Sequence, residues 1–384
     1  MIPLRPADDF GLRLAVFYGC LFIIPGIQMP FFPLWLQARG LDPQAIGIIL
    51  ATPIVVRIFA VPVINRAIDH AGSIRGGLIA TSFAGAFGYF VVGFSYGFVA
   101  LMFAVAFAAL VSGPIISLAD AYALKGLNAR KHAYGPIRLW GSATFIATNI
   151  GGGLLLAVIA VDDLIWLVAA GFVLLGATAL WLHPLEQRPV ADAEPKTPKG
   201  HPWQSRQFLA IAAAAGLIQA SHAIYYGFSA VDWTSKGIGS MTVGALWGLG
   251  VAIEIALFAI SGRLRLSPIA FVAIGAAGAV VRWIAMSFDP PLMALAFIQC
   301  LHGLSFGATH LGAIQFVARA AGDKQAAAAQ GDFSTILAIV SAGAAAASGL
   351  LYNSFGDLGY AVMAAMAALG ATCLIPALRV GQRH

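Results

Sequence analysis

The sequence contains little charge for its length. Only 10% of its 384 residues are Asp, Glu, Lys or Arg, whereas 60% are hydrophobic, and the mean hydropathy is +0.86. This balance lies far from that of a soluble globular domain and is typical of polytopic membrane proteins. The sequence therefore predicts an integral membrane protein.

Cysteine is also scarce. The three cysteines, Cys20, Cys300 and Cys373, all lie inside apolar segments. An odd number in such positions argues against a disulfide framework and gives no metal-binding spacing. No nucleotide-binding, zinc-binding or GxSxG motif stands in a suitable context. We therefore predict no cofactor, no metal and no enzymatic activity.

Long apolar runs are abundant. A membrane-spanning helix needs about 20 mainly apolar residues, and the first run is too long for a cleavable signal. The sequence predicts an all-α polytopic protein with twelve transmembrane helices, at 11–36, 44–64, 76–95, 98–120, 136–160, 163–182, 207–234, 241–262, 268–288, 291–318, 326–353 and 357–377.

Positive charge is distributed unevenly between the breaks. The net charge of +6 might suggest a nucleic-acid partner. If both termini are cytoplasmic, however, almost every Lys and Arg outside the spans lies on the cytoplasmic side, and only Arg39 and Lys236 fall in outer loops. This asymmetry follows the positive-inside rule and predicts that orientation. The partner of the basic residues is then the bilayer, and no nucleic acid is predicted.

The spans divide into two halves of six. The longest hydrophilic break, rich in Pro and charge, predicts a flexible linker at 186–205 between bundles at 1–185 and 206–384. A weak repeat crosses this linker, because "ARGLDPQAIG" aligns with "SKGIGSMTVG" and pairs Gly40 with Gly237 and Gly47 with Gly244. Two pseudo-symmetric six-helix bundles are the major facilitator arrangement, with substrate sites near the midplane.

Several ionisable groups lie inside the predicted spans. Each charged group near a helix centre costs about 2.5 to 3.5 kcal/mol on insertion scales, and such groups usually face a bundle interior or a watery cavity. Glu254 interrupts the apolar run "GVAIEIALFAI" in span 8. A carboxylate whose access to water and to a guanidinium changes can switch its affinity for protons. Glu254 is therefore the predicted proton carrier. The alternative is a purely structural ion pair between Glu254 and Arg282 or Arg57.

Span 10 carries a stripe of rings. In "LHGLSFGATH", His302, Phe306 and His310 are spaced four residues apart and lie on one helix face. Histidine titrates near neutrality and can relay protons, and we predict a coupling role for both histidines, the alternative being interhelical hydrogen bonds. A metal site is disfavoured because residues eight apart are separated by about 12 Å along the helix axis.

Other side chains are predicted to contact the solute or a gate. Arg57 suits a carboxylate, which guanidinium binds bidentately. The proline-rich span 1 is predicted to place Gln28, Phe32 and Trp35 beside a cavity. Tyr225 in span 7 lies deep enough in the membrane to contact a solute that contains a ring. Phe306 completes the predicted solute contacts. Asp120 and Arg138 are predicted to pair at the cytoplasmic mouth.

Four stretches together resemble the phenylpropionate permease group of the major facilitator superfamily, near the lactose and nucleoside proton symporters. They are "FFPLWLQARGLDPQAIGIIL", "YGPIRLWGS", Glu254 with "IALFAISGRL", and "LHGLSFGATHLGAIQFVA". The resemblance implies a symporter of the bacterial inner membrane in which Glu254, Arg282 and His302 form the coupling cluster. Pro136 replaces an expected basic residue, which leaves the role of Arg138 open. The loop "NRAIDHAGSIR" only loosely matches the Gly/Asp/Arg-rich loop that the superfamily has between spans 2 and 3. Whether Asp69 makes a gating contact is therefore left open.

We therefore predict a secondary active transporter that works by alternating access. Its most favoured activity is proton symport of a small organic solute, such as an aromatic monocarboxylate. The alternatives are a proton antiporter that exports apolar drugs or metabolites, and a sugar or nucleoside symporter. The architecture can operate as a monomer, with solute, protons and lipid as its partners.

Overall fold

A computed structural model describes residues 9–185 and 205–375 of the chain. The predicted linker at 186–205 lies almost entirely outside these residues, as do both termini. Helices make up nearly all of the described residues, and neither described range contains a strand. The all-α prediction is confirmed.

Seven α-helices lie in the described residues before the linker. Serine caps the start of α3, where the Ser73 hydroxyl accepts a hydrogen bond from Gly76 N. Three prolines lie inside α1 without ending it. The helices are α1 (Phe10–Ala38), α2 (Pro43–Ala71), α3 (Ile74–Phe94), α4 (Phe98–Ser112), α5 (Ile115–Arg130), α6 (Tyr134–Leu155) and α7 (Leu164–Trp181).

Seven further α-helices lie in the described residues after the linker. Ser205 and Ser267 cap α8 and α11 in the same way as Ser73 caps α3. A π-helical turn, Gly303–Ala308, separates α12 from α13. The helices are α8 (Arg206–Ala220), α9 (Ala223–Ser235), α10 (Ser240–Ser261), α11 (Pro268–Met286), α12 (Leu292–Cys300), α13 (Thr309–Phe355) and α14 (Gly359–Thr372).

Ten helical stretches of the described chain are long and apolar enough to cross a membrane. Two predicted spans are not among them as separate units. Helix α6 matches the predicted fifth span, but its polar residues leave it outside the set. Helix is continuous over Thr309–Phe355, but the candidate spans Leu292–Ala320 and Ala329–Thr372 remain separate around the predicted break between 318 and 326. The second of these spans contains the predicted spans 326–353 and 357–377, which therefore count as one. The count of twelve stays a prediction.

The described residues form two compact units. The amino-terminal unit comprises 9–40, 56–185 and 239–244, and the carboxyl-terminal unit comprises 41–55, 205–238 and 245–375. In the first, α1 packs against α6 and α7, and α3 packs against α4 and α7. In the second, α13 packs against α8, α9 and α11, and α14 packs against α8 and α11. The predicted domain boundaries stay a prediction.

The repeated residues share a backbone conformation. Gly40 and Gly237 have φ of 78° and 85°, in the left-handed region that favours glycine. Each follows a basic residue at the carboxyl end of a helix. Arg39 lies 3.6 Å from Asp162 at the turn before α7, and Lys236 lies 2.7 Å from Asp357 at the turn before α14. The two units therefore use the repeat in the same way.

Lys236 ties three chain segments together. Its ammonium donates to Asp232, Asp289 and Asp357 at 2.7 to 2.9 Å. Partial burial lowers the pKa of Lys236, but these hydrogen bonds outweigh burial and the pKa lies above its usual value. Lys236 therefore stays charged at any pH at which the protein functions.

Glycine allows close contact between α11 and α13. A Cβ added at Gly275 would overlap the Thr309 hydroxyl and lie 2.9 Å from Thr309 N. Backbone atoms cannot rotate away, and overpacking of this kind costs about 1–3 kcal/mol. A Cβ added at Gly343 in α13 would meet nothing within 4 Å.

We predict that Gly275→Ala lowers the thermal unfolding midpoint of the detergent-solubilised protein by several degrees. Gly343→Ala, the matched control, should leave the midpoint unchanged or raise it slightly, because alanine favours helix. Equal midpoints for the two variants would show that α11 and α13 do not pack as described.

Candidate functional site

Arg282 lies at the centre of a polar cluster inside the carboxyl-terminal unit. Its side chain, on α11, has no exposed surface. One terminal nitrogen, Nη1, donates to His302 Nδ1 at 2.9 Å and to Ser305 Oγ at 3.2 Å. The other, Nη2, donates to Gln299 Oε1 at 2.6 Å. The buried charge is thus held by three neutral acceptors.

Aromatic rings cover the same guanidinium. Its central carbon lies 4.5 Å from the ring centroid of Tyr225 and 4.6 Å from that of Trp283. Cations are attracted to ring faces, more strongly where water is excluded. These contacts help to offset the cost of removing Arg282 from water.

Glu254 approaches this cluster from α10. Its Oε2 lies 3.5 Å from His302 Nε2, and its side chain is 15% exposed. Three glycines permit the approach of α10 to the π-helical turn: a Cβ added at Gly250 would lie 3.1 Å from His302 Cβ, one at Gly303 would lie 2.8 Å from Ile253 Cγ2, and one at Gly307 would lie 3.1 Å from Glu254 Cγ. Close helix contacts through small residues are common in membrane proteins.

The ring stripe of span 10 is stacked. The centroids of His302 and Phe306 are 5.3 Å apart at an interplanar angle of 7°, and those of Phe306 and His310 are 5.8 Å apart at 12°. The π-helical turn Gly303–Ala308 lies within this column. Short π-helical segments occur often at functional sites. The prediction that these three side chains share one face is confirmed.

A second histidine touches the cluster from the break between α8 and α9. His222 has no exposed surface, and its Nε2 lies 3.1 Å from Ser305 Oγ. Its ring meets that of Trp283 edge to face. His222, Ser305 and Gln299 were not among the predicted site residues. Gln299 and Ser305 interrupt an apolar run as Glu254 does, so the signal was present in the sequence.

The static ion pairs considered for Glu254 are not seen. Within the described carboxyl-terminal unit, Arg282 bonds to His302 and not to Glu254. Arg57 belongs to the amino-terminal unit, and no described hydrogen bond or ion pair links it to a carboxylate. The imidazole of His302 therefore separates the buried cation from the buried carboxylate.

In the amino-terminal unit, the span 1 residues have mixed surroundings. Gln28 Nε2 donates to Tyr89 Oη at 2.5 Å. Phe32 and Trp35 stack on each other and are buried, and the Trp35 indole donates to the Asp162 carbonyl. Gln28 thus belongs to a polar contact, whereas Phe32 and Trp35 pack in the core of their unit.

Arg57 lies in the middle of α2 and is exposed. A Cβ added at Gly113 would lie 3.0 Å from Arg57 Cγ, so the stem of the side chain rests on the break between α4 and α5. The exposed apolar residues Val55 and Phe59 each lie two positions away, about 200° around the helix. Arg57 therefore lies on the opposite side of α2 from these apolar residues, and within the described ranges its guanidinium makes no hydrogen bond or ion pair.

The predicted gate residues have other partners. Asp120 accepts hydrogen bonds from Tyr18 at 2.6 Å and from Tyr134 at 2.8 Å. The Arg138 guanidinium lies over the rings of Phe22 and Tyr18, at 4.1 and 5.4 Å. A direct ion pair between Asp120 and Arg138 is therefore not seen among the described residues.

Asp69, the third predicted gate residue, lies near the end of α2 and is exposed. Within the described part of the chain its side chain makes no hydrogen bond or ion pair. Among residues 9–185 and 205–375, no three His, Cys, Asp or Glu side chains lie close enough to hold a metal ion.

The sequence is similar to those of known membrane transporters. The model of the MFS_1 like family matches residues 12–361. The chain is 31% identical over 334 residues to a probable 3-phenylpropionic acid transporter of Escherichia coli (strain K12), which covers 81% of this chain and 83% of that protein. It is 28% identical over 326 residues to a maltose permease of Geobacillus stearothermophilus, covering 80% and 79%.

Solved structures agree on the fold. The crystal structure of the nucleoside transporter NupG matches with a TM-score of 0.82 at 15% identity, covering 96% of this chain and 98% of that one. An inward-facing bacterial homologue of the human lysosomal transporter Spinster matches with a TM-score of 0.73 at 12% identity, covering 98% and 96%. Because the family model spans most of the sequence, the chain belongs to the MFS_1 like family, and it is a multi-pass transporter of the major facilitator superfamily and not an enzyme.

Proposed function

We propose that the chain imports a small organic solute together with a proton, by alternating access of its two units. The observation that carries this proposal is Glu254, a largely buried carboxylate in an apolar helix, whose Oε2 lies 3.5 Å from His302 Nε2. A carboxylate without a bound cation can take up and release a proton as its surroundings change. Intramembrane carboxylates commonly serve as such relays.

Arg282, His302 and His310 complete the proposed coupling cluster. His302 contacts Glu254 directly, and Arg282 contacts His302 on the other side. His310 lies one ring further along the stack. Both histidines are on the helix that packs against α10 through Gly303 and Gly307.

The proposed solute is an aromatic monocarboxylate. Arg57 is a cation without a recorded partner in the described residues, and guanidinium binds carboxylate bidentately. The relative of highest identity reported above is named as a probable 3-phenylpropionic acid transporter. Gln28, Tyr225 and Phe306 are proposed to contact the solute, and Phe32 and Trp35 to support this region from within the core.

The remaining assignments follow from the same proposal. The chain lies in a bacterial inner membrane as a monomer, with both termini in the cytoplasm, as its basic loops predict. Asp120 with its two tyrosines, Arg138 and Asp69 are proposed to act in gating.

Replacing Glu254 tests the proton carrier. In proteoliposomes with an inwardly directed proton gradient, Glu254→Gln should reduce accumulation of 3-phenylpropionate to the level without a gradient. The amide keeps the shape of the side chain but takes up no proton at neutral pH. Exchange of labelled for unlabelled solute should persist.

The matched control is Asp163→Asn, which changes an exposed carboxylate at the turn before α7. This variant should accumulate solute normally. Gradient-driven accumulation by Glu254→Gln at the wild-type level would remove Glu254 from the mechanism. If the wild type accumulated solute only when the proton gradient was reversed and directed outward, the protein would be an antiporter instead.

Replacing Arg57 tests the carboxylate contact. Arg57→Gln should raise the KM for 3-phenylpropionate by about ten- to a hundredfold, because hydrogen bonds to charged groups contribute about 1.5–3 kcal/mol. Arg66→Gln, on the same helix and also exposed, should leave the KM unchanged. Equal KM values for the two variants would exclude Arg57 from solute binding.

A sugar is the second candidate solute, since the maltose permease is also similar over 80% of this chain. Competition decides between the two. Excess unlabelled 3-phenylpropionate should inhibit uptake of labelled 3-phenylpropionate, whereas excess maltose should not. Inhibition by maltose alone, with direct uptake of labelled maltose, would favour the sugar.

A further inference from the structure

Arg282 determines which nitrogen of His302 carries a proton. A guanidinium has only N–H donors and no acceptor. Since Arg282 Nη1 lies 2.9 Å from His302 Nδ1, that nitrogen must accept and cannot itself bear hydrogen. The proton of the neutral ring is then on Nε2, which faces Glu254 Oε2 at 3.5 Å.

His222 has the opposite arrangement. Its Nδ1 lies 3.2 Å from the carbonyl oxygen of Ile218 and 3.1 Å from that of Gln219. Carbonyl oxygens only accept, so His222 Nδ1 carries the proton and donates. In the neutral ring, His222 Nε2 is then an acceptor, and it lies 3.1 Å from Ser305 Oγ.

Ser305 joins the two halves of this pattern. A hydroxyl has one hydrogen to donate and two lone pairs that accept. The Ser305 hydroxyl donates a hydrogen bond to His222 Nε2, and it accepts a hydrogen bond from Arg282 Nη1 at 3.2 Å. The two hydrogens of Arg282 Nη1 are thereby used by Ser305 and His302. Both hydrogens of Arg282 Nη1 then meet an acceptor, and so does the hydroxyl of Ser305.

We propose that His222 and Ser305 are positioning residues that hold Arg282 against His302 and so fix His302 as its neutral Nε2–H tautomer. His302 then links Arg282 to Glu254, through a hydrogen bond from Arg282 and an electrostatic contact with Glu254, and carries no transported proton itself. This inference rests on the proposed role of Glu254 as the proton carrier. It assigns His302 the part of a fixed dipole in that mechanism.

The charges around His302 support a neutral ring. An imidazolium would place a second buried cation next to Arg282, and like charges in a medium of low dielectric constant repel strongly. Only one described carboxylate, that of Glu254, is in contact with the ring. The titratable or charged groups around His302 are His222 and Tyr225 from α9 and its start, Tyr226 behind His222, Glu254 from α10, Arg282 from α11, and His310 beyond Phe306.

The arrangement makes the cluster sensitive to the state of Glu254. The positive end of the His302 Nε2–H dipole lies 3.5 Å from Glu254 Oε2, and it attracts an ionised Glu254 more strongly than a neutral one. A protonated Glu254 loses that charge, and its hold on His302 weakens. Uptake of a proton therefore loosens α10 from the π-helical turn without a change in the charge of His302.

The tautomer can be read directly. The protein has eight histidines, and ¹⁵N labelling of histidine with His302→Gln as the assignment control identifies the signals of His302 in lipid. We expect the wild type to show one neutral form, with Nε2 protonated and Nδ1 bare, throughout the pH range around neutrality. Imidazolium signals from His302 in that range would overturn the proposal.

Ser305→Ala tests the positioning residues. Without the hydroxyl, His222 Nε2 loses its donor and Arg282 Nη1 loses an acceptor, so the single tautomer signature of His302 should be lost. Ser229→Ala is the matched control, because Ser229 is equally buried and accepts from Trp247 outside the cluster. That variant should keep the signature. An unchanged His302 signature in a folded Ser305→Ala protein would exclude the positioning role.

Transport gives a second measurement. In His302→Gln, the amide oxygen and nitrogen are able to accept and to donate as the neutral ring does, so proton-driven uptake should be partly retained. His302→Leu fills similar space without either hydrogen bond and should lose uptake. Equal loss in both variants, with unfolding midpoints like that of the wild type, would contradict a dipole role. Failure of the Glu254 proposal is separate, because the ¹⁵N signature does not depend on transport.

Discussion

The buried guanidinium of Arg282 constrains the whole carboxyl-terminal unit. A charge removed from water is costly unless hydrogen bonds and nearby rings compensate. Here Gln299, Ser305 and His302 accept hydrogen bonds from the guanidinium, and Tyr225 and Trp283 cover its faces. These partners come from α9, α11, α12 and the π-helical turn, so satisfying one charge fixes the relative positions of several helices. The place of Glu254 follows from that arrangement.

Much of the fold was predictable because lipid imposes a simple length rule on apolar helices. Most predicted spans coincide with helices to within a few residues, and serine caps mark several starts. The exceptions have physical reasons. Helix α6 carries Arg138, Asn149 and several glycines, which lower its hydropathy. The helix Thr309–Phe355 is rich in alanine, which favours helix. Helix therefore continues through the polar residues that predicted a break between 318 and 326.

The site was only partly predictable. An ionisable residue in an apolar run is visible in any sequence, so Glu254, Arg282 and His302 could be named in advance. Which of them touch could not, because contacts between helices depend on rotation and depth that one sequence does not give. The expected partners Glu254 and Arg282 are separated by a ring, and Asp120 meets two tyrosines where an arginine was expected. The π-helical turn left no sequence signal that we could use.

Three glycines, Gly250, Gly303 and Gly307, lie where α10 contacts the π-helical turn and the histidine before it. They have no chemistry of their own, yet they set how near a carboxylate comes to an imidazole. The surroundings of this carboxylate are thereby determined partly by positions that have no side chain. A search confined to ionisable residues passes over such positions.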